Sequence, residues 1–440
     1  MRPLRLSAAW ALPLDRPPVR GAAVLLGANG RIVAVGPEAE VPSPADAAPI
    51  GCGAAILIPG LVNAHTHLEL EGFEGRALPP DAPFREWILA IRRLKEARAP
   101  SEYLEAARGG VRACWAAGVT TVADTGDSGT VVQALAELGG SGIAYHEVFG
   151  PHPGQVEESV GGLLSRLRGL APLATGRVRL GVSPHAPYTV SGPLYARVAA
   201  LAASEALPLA VHVAESREES EFVSRGEGPF AEAWRSRGIP LLDDPSHRPP
   251  VRPSARPPVT PVAWLDAHGV LGPATLCIHA VQVTAADIAL LAGRGAAIAH
   301  CPLSNARHRH GSAPLGLLRR AGLRVGLGTD STASVGRLDL FAEARAARAG
   351  AGIGATEALA LATIEAARAL GLEGEIGSLT PGKWGDVIAV RAGPGAMESG
   401  PGVTAEALAE AVLDAGTDAV SLTVLGGRVV HRAAVPTGAA

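Results

Sequence analysis

The chain has 440 residues, 47% of them hydrophobic and 18% charged, with a formal net charge of −3. That is enough apolar material for a large core plus a smaller second module. The near-neutral, faintly acidic balance carries no basic stripe, which argues against a nucleic-acid partner, and no stretch reaches the roughly 20 uninterrupted apolar residues of a membrane-spanning helix.

At the N-terminus Pro13 and Asp15 interrupt a short apolar patch, which argues against a signal peptide. Gly21–Gly36 reads as two strands around Asn29-Gly30, a strong hairpin signal. The run Leu57-Ile58-Pro59-Gly60-Leu61-Val62-Asn63-Ala64 ends in His65-Thr66-His67. Alternate residues of a strand share a face, so His65 and His67 point the same way, close enough to hold one metal ion.

Further short apolar strands follow, separated by amphipathic helices: Leu61–His65, Thr120–Asp124, Gly142–Val148, Val178–Ser183, Leu209–Val213, Thr275–His279, Ala296–His300 and Arg324–Thr329. Several end in a polar group: His185 follows the fourth, His212 lies in the fifth with Glu215 just beyond, His279 ends the sixth, and Asp330 follows the eighth. Eight strand–helix units fit a (β/α)8 barrel of the TIM type, whose active site lies at the strand C-termini. A doubly wound open sheet is the alternative. Pro240–Pro261, containing PSHRPPVRPSARPPVTP, cannot be helix or central strand and reads as a surface insertion, with His247 a solvated loop residue. Asp386–Val390 and a hairpin over Ser421–Arg432 around Gly426-Gly427 add strands near the C-terminus. Cys52, Cys114, Cys277 and Cys301 lack a framework spacing and read as reduced, buried residues, in keeping with a cytoplasmic protein.

The motifs PGLVNAHTHLE, SPHAPYTVS, HVAES, IHAV, HCPLSN and GTDSTAS together resemble the amidohydrolase superfamily. More narrowly they resemble its mononuclear deaminase branch: S-adenosylhomocysteine/methylthioadenosine deaminases, aminodeoxyfutalosine deaminases and chlorohydrolase relatives. The resemblance implies a barrel over residues 59–376 and a small β-sandwich built from both chain ends, residues 1–58 and 377–440. It assigns His65, His67, His212 and Asp330 as ligands of one divalent ion, zinc or alternatively iron, whose bound water is the nucleophile. It gives Glu215 the protonation of a ring nitrogen, His279 the orientation of the nucleophile, and Asp330 a proton shuttle to departing ammonia.

A continued strand would put His212 and Glu215 on opposite faces, so Glu215 reaches the site only if the strand breaks after Val213. The substrate-binding set implied by the same likeness is His185, Trp87, Glu96 and Glu69; Arg307 and Arg309 depart from the family's pattern after the serine–asparagine pair and, with Arg92 and Arg93, are the cations offered to a substrate carboxylate. The chain has two lysines, Lys95 and Lys383, neither on an expected barrel strand, which excludes a lysine-bridged binuclear centre; Glu147 is the nearest substitute, on the third strand.

The partner implied is a small molecule: a 5′-substituted adenine nucleoside such as aminodeoxyfutalosine or S-adenosylhomocysteine. The alternatives are a guanine, triazine or pterin substrate, or a non-enzymatic metal-binding relative. Assembly into a homo-oligomer is open.

Overall fold

In the computed structural model, residues 1–79, 82–247, 260–393 and 403–434 are described. By internal packing they divide into two compact units.

The first unit comprises residues 1–64, 111–121 and 338–440. Its strands β1 (Leu4–Ala11), β2 (Val19–Leu26), β3 (Ile32–Pro37), β4 (Ala48–Gly51) and β5 (Ala55–Pro59) join three from the other chain end in one mixed sheet. Around its core, Leu6, Val24, Leu57, Val387 and Leu422 are buried together. The two glycine turns meet: a Cβ on Gly30, which has φ +77°, would stand 2.3 Å from the Gly426 carbonyl oxygen, an approach that only glycine allows. The two hairpins are thus parts of one sheet, which gives each the packing that an isolated hairpin lacks.

The second sheet runs in chain order through β6 (Leu61–Thr66), β7 (Val119–Gly126), β8 (Gly142–Val148), β9 (Val178–Pro184), β10 (Leu209–Val213), β11 (Thr275–His279), β12 (Ala297–His300) and β13 (Arg324–Leu327). These eight are the strands the sequence pattern predicts. Their pairings are parallel and most of their residues are buried, as expected of strands covered on both faces. Thr66 bridges Asp330 in parallel, which brings the last strand back to the first and nearly closes a TIM-type barrel. Gly328 makes that closure possible, because a Cβ there would lie 2.8 Å from the backbone nitrogen of His65. The C-terminal strands are β14 (Val387–Arg391), β15 (Val420–Leu425) and β16 (Arg428–Arg432), all in the first sheet.

Of the Pro-rich stretch, residues 248–259 lie outside the described residues. Its flanks correct one expectation. His247 is fully buried rather than solvated: its ring lies against Trp234, its Nδ1 accepts from the Gly192 amide at 3.3 Å, and its carbonyl pairs with His268 Nε2 at 2.9 Å. Composition marked the loop, but an aromatic wall 13 residues upstream decided where this ring goes.

Candidate active site

At the C-terminal ends of the strands four groups converge. The His65 and His67 rings are 4.7 Å apart, and His212 lies 5.0 Å from His65 and 5.4 Å from His67. Asp330 Oδ1 is 3.8 Å from His65 Nε2 and 3.6 Å from His67 Nε2. Neighbouring groups fix how each side chain presents itself. His67 Nδ1 donates to the Thr125 carbonyl at 2.8 Å, and His212 Nδ1 to the His185 carbonyl at 3.2 Å. A carbonyl only accepts, so the proton sits on Nδ1 and the bare Nε2 is left for an ion. Asp330 takes Ser304 Oγ at 2.5 Å and Ser334 Oγ at 3.1 Å on Oδ2, and the Ser331 amide at 2.7 Å on Oδ1.

Burial, reinforced by the neighbouring imidazoles, pushes His65 and His212 well below the usual histidine range; burial also lowers His67. All three are therefore neutral, the ligating form. Three neutral imidazoles and a carboxylate fit a divalent ion.

The strands end in strained turns. Ala214, His279, Ala280 and Asp330 have φ of +52°, +75°, +47° and +57°, in the left-handed region that non-glycine residues seldom occupy. At Ala214 this break brings Glu215 round to the face of His212. Glu219 holds the turn: its carboxyl accepts the Ala214 and Glu215 amides, each at 2.8 Å. Ser216 in turn caps the helix Arg217–Arg225 by accepting the Glu219 amide. Glu215 Oε1 ends 3.5 Å from His279 Nε2 and 3.3 Å from His310 Nδ1. Burial would raise its pKa, but His279 and His310 outweigh that and hold it at about 2, so Glu215 is a carboxylate at neutral pH. His279 is oriented by Asn305, whose Oδ1 accepts Nδ1 at 2.9 Å.

The remaining expected residues are not all brought together. His185 is in the cluster, its ring 4.9 Å from His212 and beside Phe149, with Nδ1 on Thr189 Oγ1 at 2.8 Å. Glu69 is fully buried, and its oxygens are engaged by Lys95 Nζ at 2.7 Å and by the Ser128 hydroxyl at 2.5 Å. Trp87 stacks on Phe84 and meets the edge of His308. Glu96 is exposed and pairs with Arg92 one helical turn away, and Arg307 is exposed.

Glu147 reaches the site from the third strand: its carboxyl lies within 4.8 Å of the ligand nitrogens of His185 and His212. It does not thereby make a second metal position, because His212 has only Nε2 to give. Neither lysine lies on a barrel strand: Lys95 is in the helix Phe84–Ala97, and Lys383 follows the turn Pro381-Gly382. Sequence reasoning missed Glu219, Asn305 and His310. The serine–asparagine pair of HCPLSN was a usable signal for Asn305; nothing local marked the other two.

A nearly closed eight-strand parallel barrel with imidazoles and a carboxylate gathered at its C-terminal rim defines a metal-site barrel hydrolase. Residues 56–430 match the amidohydrolase family, and the chain belongs to it as a hydrolase of C–N bonds. It is 35% identical over 295 residues to the aminodeoxyfutalosine deaminase of Deinococcus radiodurans, covering 67% of this chain and 68% of the relative. It is 32% identical to the 5-methylthioadenosine/S-adenosylhomocysteine deaminase of Syntrophobacter fumaroxidans, over 84% of this chain and 80% of the relative. Among solved structures it resembles a zinc-bound adenosine deaminase from Xanthomonas campestris, with a TM-score of 0.78 and 26% identity over 97% of this chain and 92% of the other. No helix among the described residues is long and apolar enough to cross a membrane.

Proposed function

We propose that this protein is a zinc-dependent aminohydrolase, with iron the alternative metal, that removes ammonia from a 5′-substituted adenine nucleoside. Aminodeoxyfutalosine and S-adenosylhomocysteine are the nearest candidates. The observation that carries the reading is the position of Glu215: an ionised, buried carboxylate turned by the Ala214 break toward the rim where His65, His67, His212 and Asp330 converge. The deaminase relatives support the choice of an adenine nucleoside.

His65, His67, His212 and Asp330 would hold the ion, which supplies Lewis acidity and a water acidified to a pKa of about 7. The rest of the chemistry falls to the chain. Glu215 starts as a carboxylate, so it first takes a proton from the attacking water and then delivers it to the ring nitrogen. His279, its Nδ1 committed to Asn305, has Nε2 free to orient the same water. Asp330 returns the second water proton to the exocyclic amine. The ring carbon gains the oxygen and loses ammonia, so atoms and charge balance. His185 would meet the ribose or the ring edge. The sequence-level pairing of a substrate carboxylate with arginines at the rim remains part of the proposal, with exposed Arg307 as its candidate.

Ammonia release from aminodeoxyfutalosine, S-adenosylhomocysteine, adenosine, guanine and a triazine tests this. The expected result is a kcat/KM at least about tenfold higher for a carboxylated nucleoside than for adenosine, since one charge-assisted contact contributes about 1.5–3 kcal/mol. Equal rates on adenosine, or activity confined to guanine or triazines, would reject the nucleoside reading.

A further inference from the structure

After the helix Pro302–Arg307 the chain reads Arg307-His308-Arg309-His310. A left-handed Arg309, φ +58°, separates the two histidines. Both arginines are exposed, whereas the His310 side chain is 4% exposed. Its backbone is fixed at both ends: the His310 amide donates to the Asn305 carbonyl at 2.9 Å, and Gln282 Nε2 donates to the His310 carbonyl at 2.5 Å. The ring is held edge-to-face against Phe84 at 4.5 Å, and Phe84 stacks on Trp87, which meets His308.

This framework aims His310 Nδ1 at Glu215 Oε1, 3.3 Å away. Neither ring nitrogen of His310 has a hydrogen-bond partner of full geometry among the described residues. A buried imidazole in that condition calls for an explanation, and the carboxylate in front of it is the available one. Asn305 ties the arrangement together. Its side chain orients His279 and its carbonyl anchors His310, so one short segment positions both imidazoles that flank Glu215 Oε1.

We propose that His310 is a positioning residue for Glu215, its Nδ1 keeping the carboxyl turned toward the ring nitrogen of the substrate. The proposal rests on the reading of Glu215 as the acid–base group. The terminal carboxyl torsion of a glutamate has broad, shallow preferences of its own. His279 Nε2, 3.5 Å from Glu215 Oε1, makes the longer of the two contacts. A misplacement of about 1 Å at a reacting group can lower a rate by about a hundredfold.

The test compares His310→Phe, which keeps a ring against Phe84 but removes the donor, with His310→Asn, whose amide nitrogen can stand where Nδ1 stands. Metal-replete holoenzyme is assayed for ammonia release from aminodeoxyfutalosine and S-adenosylhomocysteine, with bound metal measured in parallel. His310→Phe should lose about 10- to 100-fold in kcat with KM within about threefold of the parent and metal content unchanged. His310→Asn should recover to within about threefold of the parent kcat. A parental kcat in His310→Phe, a loss confined to KM, or an Asn variant as poor as Phe would overturn the proposal. Glu215→Gln separates the two levels: if it too turns over normally, the reading of Glu215 has failed; if it is dead while His310→Phe is normal, only the positioning role falls.

Discussion

Lys95→Met should destabilise the fold by about 3–5 kcal/mol, the scale for removing one partner of a buried pair. Lys95 Nζ contacts Glu69 Oε1 at 2.7 Å and Asp127 Oδ1 at 2.5 Å. The Glu69 side chain is 1% exposed, so the uncompensated charge would fall on it; Asp127, 42% exposed, is screened and contributes little. Burial pushes the Glu69 carboxyl up, but Lys95 and then Ser128 overcome that and hold it below the ordinary carboxylate range. Methionine preserves the volume and length of the lysine stem, so the charge is what the substitution removes. In urea, followed by tryptophan fluorescence on metal-replete protein, the midpoint should fall by about 1–1.7 M if m is about 3 kcal/mol/M. Lys95→Met combined with Glu69→Leu should recover part of the loss, because the stranded charge is gone. A single variant that unfolds within about 0.2 M of the parent would refute the reasoning.

Two further outcomes are expected. Purified protein should hold about one tight divalent ion per chain, and His212→Ala should lose most of it, because the site is then one ligand short; elemental analysis finding two tight equivalents in the parent would contradict the geometry at His212. Glu219 has its pKa pushed up to about 8 by burial, despite the Glu215 and Ala214 amides it accepts. A raised carboxyl pKa contributes stability that is complete below its ordinary value near 4.5 and is lost as pH rises through about 8. Between pH 6 and 8.5 the parent should therefore lose up to about 3 kcal/mol from this group, and its thermal midpoint should drop further than that of Glu219→Gln; parallel pH profiles for the two proteins would count against it.

The barrel and the gathering of histidines and a carboxylate at its rim were legible along the chain. Apolar runs ending in His65, His212, His279 or Asp330 carry a period-two message, and that message already says which residues share a face at a strand end. The two glycine turns likewise announced the hairpins of the terminal sheet. The tertiary structure decided what local periodicity cannot encode. Glu215 is in the site because Ala214 takes a left-handed turn clamped by a carboxyl four residues past Glu215. Glu69 is buried and paired with a lysine 26 residues away. In Arg307-His308-Arg309-His310 the two arginines are exposed, and His310 is buried against Glu215. In each case the deciding partner lies on another element or depends on a single backbone torsion. Burial then fixes the outcome, because a buried polar group must take the partner that the packing puts within reach.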